Sequence, residues 1–180
     1  MARLGMIATF AFAVWFFLFR QDEVPTGPDQ IAAITAGQLI SAQGQPLSSQ
    51  DPEDSTIKYY AIYYSAGWCP PCHLFTPTLV QFYNAFKPSH PNFELIFVSR
   101  DRDHESMLNY MREMAMPWPA LRFSSLMQSG SHNGLERYAG DAIPDLVLVN
   151  CEGKVLSDTF RFGEYTGPDH VIEDIKRLVP

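Results

Sequence analysis

The chain has 180 residues, of which 20 are acidic and 13 are basic, so its formal net charge at pH 7 is -7. This length suits one ordinary domain with a short extension, and a second full domain is not expected. With 46% hydrophobic and 18% charged residues the chain can bury a core, which excludes wholesale disorder. The acidic balance does not suit phosphate binding, so no nucleic acid partner is expected. The 3 cysteines are too few for a disulfide-stapled scaffold.

Residues 4–19 form an uncharged, mostly apolar run between Arg3 and Arg20. As a helix the run would span roughly 24 Å, which is short of the roughly 30 Å hydrocarbon core of a bilayer. Because no small-residue cleavage site follows Phe19, residues 1–20 predict a signal anchor, with a cleaved signal peptide as the alternative. A buried helix of the domain is disfavoured because the run has no polar face.

This apolar segment also predicts where the protein lies. The membrane is then a partner through residues 4–19, and the folded part is membrane-anchored on the extracytoplasmic side, periplasmic or lumenal. Signal cleavage would instead give a secreted protein. Residues 21–30 are rich in proline and acidic side chains and predict a linker, which leaves residues 31–180 as the domain.

The first half of the domain shows strand and helix patterns in alternation. Residues 38–50 predict a hairpin with a Gln-Gly turn. The aromatic and β-branched residues of IKYYAIYY, 57–64, predict a strand buried on both faces. Apolar residues at helical spacing over 73–86 predict a helix, with Pro77 kinking its interior. Residues 93–98, FELIFV, predict a second buried strand, and the two strands with their connecting helix form a right-handed parallel crossover.

The second half of the domain begins with a predicted methionine-lined helix over residues 105–116, followed by an irregular stretch over 117–134 and a short helix over 135–138. A hairpin over residues 146–156, which turns at Glu152-Gly153, and a final helix over 168–179 complete the prediction. Together the predicted elements indicate an α/β domain with a central mixed β-sheet flanked by helices on both faces.

Cys69 and Cys72 lie directly after the aromatic strand and at the start of a helix, separated by two prolines. A thiol at a helix N-terminus meets unpaired N–H groups and the positive end of the helix dipole, which favour the thiolate. The spacing places the second sulfur one helical turn away, close enough to form a disulfide or to resolve a mixed one. The pattern therefore predicts that Cys69 attacks a disulfide and that Cys72 resolves the intermediate.

Two other interpretations of the cysteine pair remain open. A zinc site would need two more ligands, and neither a second CxxC nor a paired-histidine spacing is present. A purely structural disulfide closing so small a loop would stabilise the fold little. No metal and no cofactor are therefore expected.

The segment YYSAGWCPPCHLFTP resembles the active-site segment of the thioredoxin superfamily, and more closely that of the tryparedoxin and nucleoredoxin branch. The similarity extends over about residues 31–176. Pro77 matches the proline that kinks the first active-site helix, and Ile143-Pro144 resembles the segment that faces the active-site disulfide. The resemblance implies a thioredoxin-like fold and a cis Pro144. It also implies that the Ile143 backbone pairs with an extended substrate strand.

The chain also departs from the superfamily pattern. Many thioredoxins carry a buried aspartate six residues before the attacking cysteine, where this chain has Tyr63. Tyr63 and Asp101 are therefore candidates for the proton-handling group, although either could be a packed or solvated residue. Asp145 follows Pro144, and an acid near the thiolate would raise the pKa of Cys69 unless it points away.

Four other residues have both a functional and a structural interpretation. Trp68 either contacts substrate beside the sulfurs or caps the core, and Trp118 is equally open. His73 could tune the thiolate, although a solvated helix residue is the simpler interpretation. Cys151, at the predicted hairpin turn, is expected to be inert.

The residues and the resemblance together predict a thiol-disulfide oxidoreductase that reduces protein or small-molecule disulfides through a Cys69/Cys72 dithiol-disulfide cycle. Its partners would be disulfide-containing proteins or peptides, contacted by Trp68, Ile143 and Pro144, and an unidentified upstream electron donor. The alternative is a binding module or chaperone-like protein that uses the cis-proline surface without redox turnover.

Overall fold

A computed structural model describes residues 28–48, 56–128 and 134–180. The α-helices are α1 Gln30–Thr35, α2 Pro70–Phe86, α3 His104–Glu113, α4 Phe123–Gln128 and α5 Asp169–Leu178. The strands are β1 Leu39–Ile40, β2 Tyr59–Ser65, β3 Phe93–Ser99, β4 Ala120–Leu121, β5 Asp145–Asn150, β6 Val155–Asp158, β7 Phe160–Arg161 and β8 Glu164–Tyr165. Short 3-10 helices cover Lys87–Ser89 and Gly134–Tyr138.

Within these described ranges six strands form a mixed sheet in the order β1-β4-β3-β2-β5-β6. The central pair β2 and β3 is parallel, as the predicted crossover requires, and β5 runs antiparallel to β2. Every residue of β2 is buried, because both faces of the sheet are covered and no position along the strand meets solvent. β7 and β8 pair with each other in a separate hairpin.

Two apolar clusters cover the two faces of the sheet. One includes Phe75 and Leu79 of α2, Met111 of α3 and Ile175 of α5, packed against the Tyr63 side of β2. The other includes Ile31 of α1 and residues of the second 3-10 helix, packed on the opposite side of β2. The predicted α/β fold with helices on both faces is confirmed.

Most predicted elements are present with shifted ends. The first predicted hairpin closes through the Leu47 N–H, which donates to the Leu39 carbonyl at 2.9 Å, and Gly44 turns it with φ +75°. The helix predicted to reach residue 116 stops at Glu113, because Ala115 adopts φ +51° and a left-handed residue ends a helix. Residues 49 and 50 of the predicted hairpin lie outside the described residues.

The stretch 117–134, predicted to be irregular, contains β4 and α4, so that prediction was wrong where the structure describes it. β4 has only two residues and is held by its neighbours, with Ala120 facing Phe97 of β3 on one side and Ile40 of β1 on the other. So short a strand leaves no periodic signal.

The predicted signal anchor also requires correction. Residues 4–19 lie outside the described residues, and among the residues that the structure does describe no helix is both long and apolar enough to cross a membrane. The longest of them, α2, has 17 residues and spans roughly 26 Å, with polar Gln81 and Asn84 exposed along one side. The predictions of a transmembrane anchor, of a membrane partner and of a membrane-anchored location are therefore corrected.

Candidate active site

The carboxyl end of β2 leads through a short loop into α2, and the candidate site lies at this junction. Cys69 is the N-cap of α2, and its Sγ accepts the Cys72 N–H at 3.3 Å. The loop before it is fixed from two sides. The Asp101 carboxylate accepts the Gly67 N–H at 2.9 Å, and a ring nitrogen of His73 lies 2.6 Å from the Gly67 carbonyl.

Cys69 and Cys72 form a disulfide. Cys72 is fully buried and Cys69 is only 3% exposed, so approach to the pair is through Cys69. Both sulfurs lie at the N-terminus of a long helix, where the dipole and the Cys72 N–H, which already donates to the Cys69 Sγ, stabilise a Cys69 thiolate once the bond is reduced. Of the two sulfurs, Cys69 is the one nearer to solvent, and Cys72 lies protected behind it.

The Ile143-Pro144 segment lies directly against this disulfide. Its peptide bond is cis, which confirms the expectation from the resemblance. The Cys69 Sγ is 3.8 Å from the Ile143 carbonyl oxygen, and the Pro144 carbonyl accepts the Tyr165 hydroxyl of β8 at 3.0 Å. The sulfur therefore faces the cis-proline backbone directly before β5, on which a second chain could be aligned.

The aromatic candidates separate into surface and core residues. Trp68 is 58% exposed beside Cys69, and its ring N–H donates to the Arg100 carbonyl, so it does not cap the core. Trp118 is buried and packs edge-on against Tyr63 and Tyr83. His73 is half-buried against the Tyr110 ring, with centroids 5.2 Å apart. It therefore helps to hold the loop at Gly67 and is not a solvated helix residue.

A buried group of hydroxyls lies behind Cys72. The Thr76 hydroxyl donates to the Cys72 carbonyl at 2.7 Å, and it also contacts the hydroxyls of Tyr63 at 2.8 Å and Tyr110 at 2.7 Å. Because a threonine hydroxyl carries a single proton, both tyrosines must donate to it. Tyr110 then accepts from Ser65, 2.9 Å away. Each hydroxyl of this network therefore donates its hydrogen bond in the direction of Thr76, and the Cys72 carbonyl accepts the last one.

Neither candidate for the proton-handling group forms a hydrogen bond with a sulfur. Burial raises the pKa of Tyr63 well above its ordinary value, so its phenol stays protonated, and that proton is committed to Thr76. The Asp101 carboxylate accepts from Gly67 and from the Ser99 hydroxyl at 2.8 Å. Both groups hold the loop and helix that carry the cysteines in place.

Asp145 points away from the disulfide. It pairs with Tyr64 in the β2–β5 ladder, and since side chains alternate along a strand it lies on the face opposite to Tyr63. Its carboxylate accepts the Gly140 N–H at 2.8 Å, and its other oxygen is buried without a hydrogen-bond partner. Burial, reinforced by the nearby charge of Asp158, raises the pKa of Asp145 to about 6.

Cys151 is a free, fully buried thiol on the far side of the sheet. Burial, aided by the charge of Asp29, raises its pKa, so it remains protonated and poorly nucleophilic. Its environment agrees with the inert interpretation. Among the described residues no group of three or more His, Cys, Asp or Glu side chains is arranged to hold a metal ion.

A family model described as thioredoxin-like matches residues 57–155, which include both cysteines. The chain belongs to this thioredoxin-like family. Human nucleoredoxin is 38% identical to the thioredoxin-like chain over 135 residues, covering 75% of this chain and 29% of the human protein. Zebrafish (Danio rerio) nucleoredoxin is 36% identical over 147 residues, which cover 82% of this chain and 34% of the zebrafish protein. The chain thus spans about a third of the length of these curated relatives.

Solved structures show the same likeness. Tryparedoxin I from Leishmania major superposes with a TM-score of 0.56 and 27% identity, covering 79% of this thioredoxin-like chain and 85% of its own. Thioredoxin from Wuchereria bancrofti gives a TM-score of 0.58 and 28% identity, and the match covers 83% of this chain and 98% of that thioredoxin. The predicted membership of the tryparedoxin and nucleoredoxin branch is confirmed. These relatives support a thiol-disulfide oxidoreductase and do not favour the binding-module alternative.

Sequence reasoning missed two parts of the site of this thioredoxin-like chain. The hydroxyl network joins residues that are far apart in sequence, so no local pattern could have marked Thr76 or Tyr110. The β7–β8 hairpin was missed because its turn, Phe162-Gly163, lacks the Asn-Gly or Asp-Gly signal of a two-residue turn. The aromatic residues on both sides of Gly163 were the available signal.

Proposed function

We propose that the protein is a tryparedoxin-like disulfide reductase that uses Cys69 and Cys72 as a dithiol-disulfide couple. The observation that supports this most directly is the position of the disulfide, at the N-terminus of α2 and against the cis Ile143-Pro144 segment. That position provides a helix terminus to stabilise the attacking thiolate and a backbone to align the substrate.

In the reducing direction, the Cys69 thiolate attacks one sulfur of a substrate disulfide. A mixed disulfide forms and the first substrate thiolate leaves. The Cys72 thiolate then attacks the Cys69 sulfur, the Cys69–Cys72 disulfide forms and the second substrate thiolate leaves. Two electrons have passed to the substrate, and an upstream dithiol donor returns two electrons and two protons to restore the couple.

Trp68, Ile143 and Pro144 form the proposed substrate contacts. The exposed Trp68 ring lies on one side of Cys69, and the cis-proline segment lies on the other. A substrate strand laid along Ile143 would bring its disulfide over Cys69, which is the sulfur nearest to that backbone.

An insulin-reduction assay with dithiothreitol as the donor tests this proposal. The wild-type protein should accelerate insulin reduction, and Cys69→Ser should fall to the uncatalysed rate because the attacking sulfur is gone. Cys72→Ser should accumulate the mixed disulfide, visible by non-reducing electrophoresis. Cys151→Ala is the matched control, since it also removes a thiol, and it should retain activity.

The attacking thiol can be identified separately by brief alkylation of the reduced protein with iodoacetamide below neutral pH. Cys69 should be labelled first, because its sulfur is the one at the helix N-cap and nearer to solvent. Preferential labelling of Cys72 would overturn the assignment, and an inactive wild type would overturn the proposed function.

A further inference from the structure

The β7–β8 hairpin is fixed beside the candidate active site. At its base, the buried Thr159 hydroxyl donates to the Leu146 carbonyl at 2.9 Å and accepts the Leu146 N–H at 2.7 Å. In β8, the Tyr165 hydroxyl donates to the Pro144 carbonyl at 3.0 Å. The hairpin is therefore tied to the same backbone segment that faces the Cys69 sulfur.

The other strand of the hairpin packs on the loop before the cis-proline. A Cβ added at Gly140 would lie 2.0 Å from the Phe160 ring, so this ring and the loop backbone are in direct contact. Phe160 in turn packs edge-on against Tyr165, with centroids 5.4 Å apart. The hairpin is thus rooted on both strands, which gives it a defined direction relative to the disulfide.

The residue at the tip of the hairpin has a backbone conformation and an exposure that are unfavourable in an isolated domain. Phe162 has φ +55° and Gly163 has φ +82°, the two positive values of a type I′ turn, in which Asn, Asp or Gly usually takes the first position. A bulky aromatic residue rarely adopts this conformation. The Phe162 ring is also fully exposed, at 107% of its reference area. Both features disfavour phenylalanine here unless the ring has a partner.

Other exposed apolar side chains lie near the same site. Trp68 precedes Cys69, Leu74 follows Cys72 and is 82% exposed, and Tyr165 lies beside Pro144. Large apolar side chains that cluster in solvent on one part of a surface indicate a protein contact. The site is therefore bordered by apolar surface on both the helix side and the hairpin side.

We propose that this hairpin is a docking arm for protein disulfides, on which Phe162 contacts an apolar side chain of the polypeptide that carries the substrate disulfide. The inference rests on the proposed function and adds a substrate preference to it. A peptide aligned on Ile143 is continuous with the hairpin through the Pro144–Tyr165 hydrogen bond. A small disulfide reaches Cys69 without extending to the tip, so the arm favours proteins over small molecules.

The test compares two disulfides in single turnovers of the pre-reduced protein, with the reductant removed. Insulin is the protein disulfide, and dithionitrobenzoate is the small one. Phe162→Asn removes the ring and places a favoured residue in the turn. The insulin-to-dithionitrobenzoate ratio of rate constants should fall at least tenfold, while the midpoint of thermal unfolding stays equal or rises. Phe162→Tyr, which keeps a ring, should retain the wild-type ratio.

Val155→Thr is the matched control, because Val155 is also an exposed apolar residue but lies opposite Val149, at the end of β5 remote from Asp145 and the cis-proline. It should leave the ratio unchanged. A Phe162→Asn ratio within twofold of wild type, or an equal loss on both substrates, would overturn the docking arm while leaving the reductase assignment intact. A wild type that reduces neither disulfide would overturn the proposed function, and the docking arm with it.

Discussion

Asp145 shows how the setting of a single residue affects stability. Its carboxyl is buried with one oxygen unpaired and has a pKa of about 6, against an ordinary value of 3.8. Between these two values the folded state holds the proton and the unfolded state does not, so stability falls as pH rises through this window. Above pH 6 the fold carries a buried negative charge.

Replacing Asp145 with Asn should therefore stabilise the protein at pH 7.5, by about 1–3 kcal/mol. The asparagine carbonyl can still accept the Gly140 N–H, so the contact with the loop is kept. The gain should shrink below pH 6 and vanish as the pH falls below 3.8, where the aspartic acid becomes protonated in both states. Urea denaturation of both proteins at several pH values measures this, and a pH-independent difference would contradict it.

At the scale of elements, Thr76 joins three parts of the fold at one hydroxyl. Tyr63 belongs to β2, Thr76 to α2 and Tyr110 to α3, and the hydrogen bonds between them connect the sheet to both helices. The same hydroxyl also holds the Cys72 carbonyl in the first turn of α2. The packing of the cysteine helix therefore depends on polar as well as apolar contacts.

Thr76→Val keeps the shape of the side chain but removes the acceptor that the buried hydroxyls of Tyr63 and Tyr110 share. We expect it to lower the free energy of unfolding by about 2–4 kcal/mol, since each unsatisfied buried group costs roughly 1–3 kcal/mol. Thr76→Ser retains the hydroxyl and should lose less, as judged from urea denaturation midpoints. Equal losses in the two variants would mean that the methyl group matters and the hydroxyl does not.

For the whole molecule, α1 closes the second face of the sheet. Asp29 caps α1 and accepts the Tyr60 hydroxyl at 2.5 Å, while the Gln30 N–H donates to the Cys151 carbonyl at 2.8 Å. Ile31 is fully buried in the same cluster. Asp29, at the end of the predicted linker, is thus itself buried in the fold.

A chain beginning at residue 28 should therefore fold cooperatively, with a thermal midpoint within a few degrees of the full chain. A chain beginning at residue 37 lacks α1, exposes the Ile31 site and leaves Tyr60 without its carboxylate. It should unfold at a clearly lower temperature and bind the hydrophobic dye ANS. Equal midpoints for the two truncated chains would show that α1 contributes little.

The parts of the fold predicted from sequence are those with long, regular patterns. β2, β3 and α2 each extend over seven or more residues, and CPPC marks the cysteine pair by itself. The two-residue strands β4, β7 and β8 have no pattern of their own, because neighbouring backbone fixes them. The directions of the Asp145 and Thr76 side chains depend on contacts between distant segments. Sequence alone therefore marked Asp145 without placing it, and it did not mark Thr76.

The positions of two tryptophans have an optical consequence. Trp68 is exposed next to the disulfide, and Trp118 is buried in the core. Emission from the solvated indole lies to the red of emission from the buried one, and a neighbouring disulfide quenches indole fluorescence. In a chain beginning at residue 28, which lacks Trp15, reduction of the Cys69–Cys72 bond should therefore brighten the red edge of the spectrum, while the blue edge follows the integrity of the core. Redox state and folding can then be observed in one unlabelled sample.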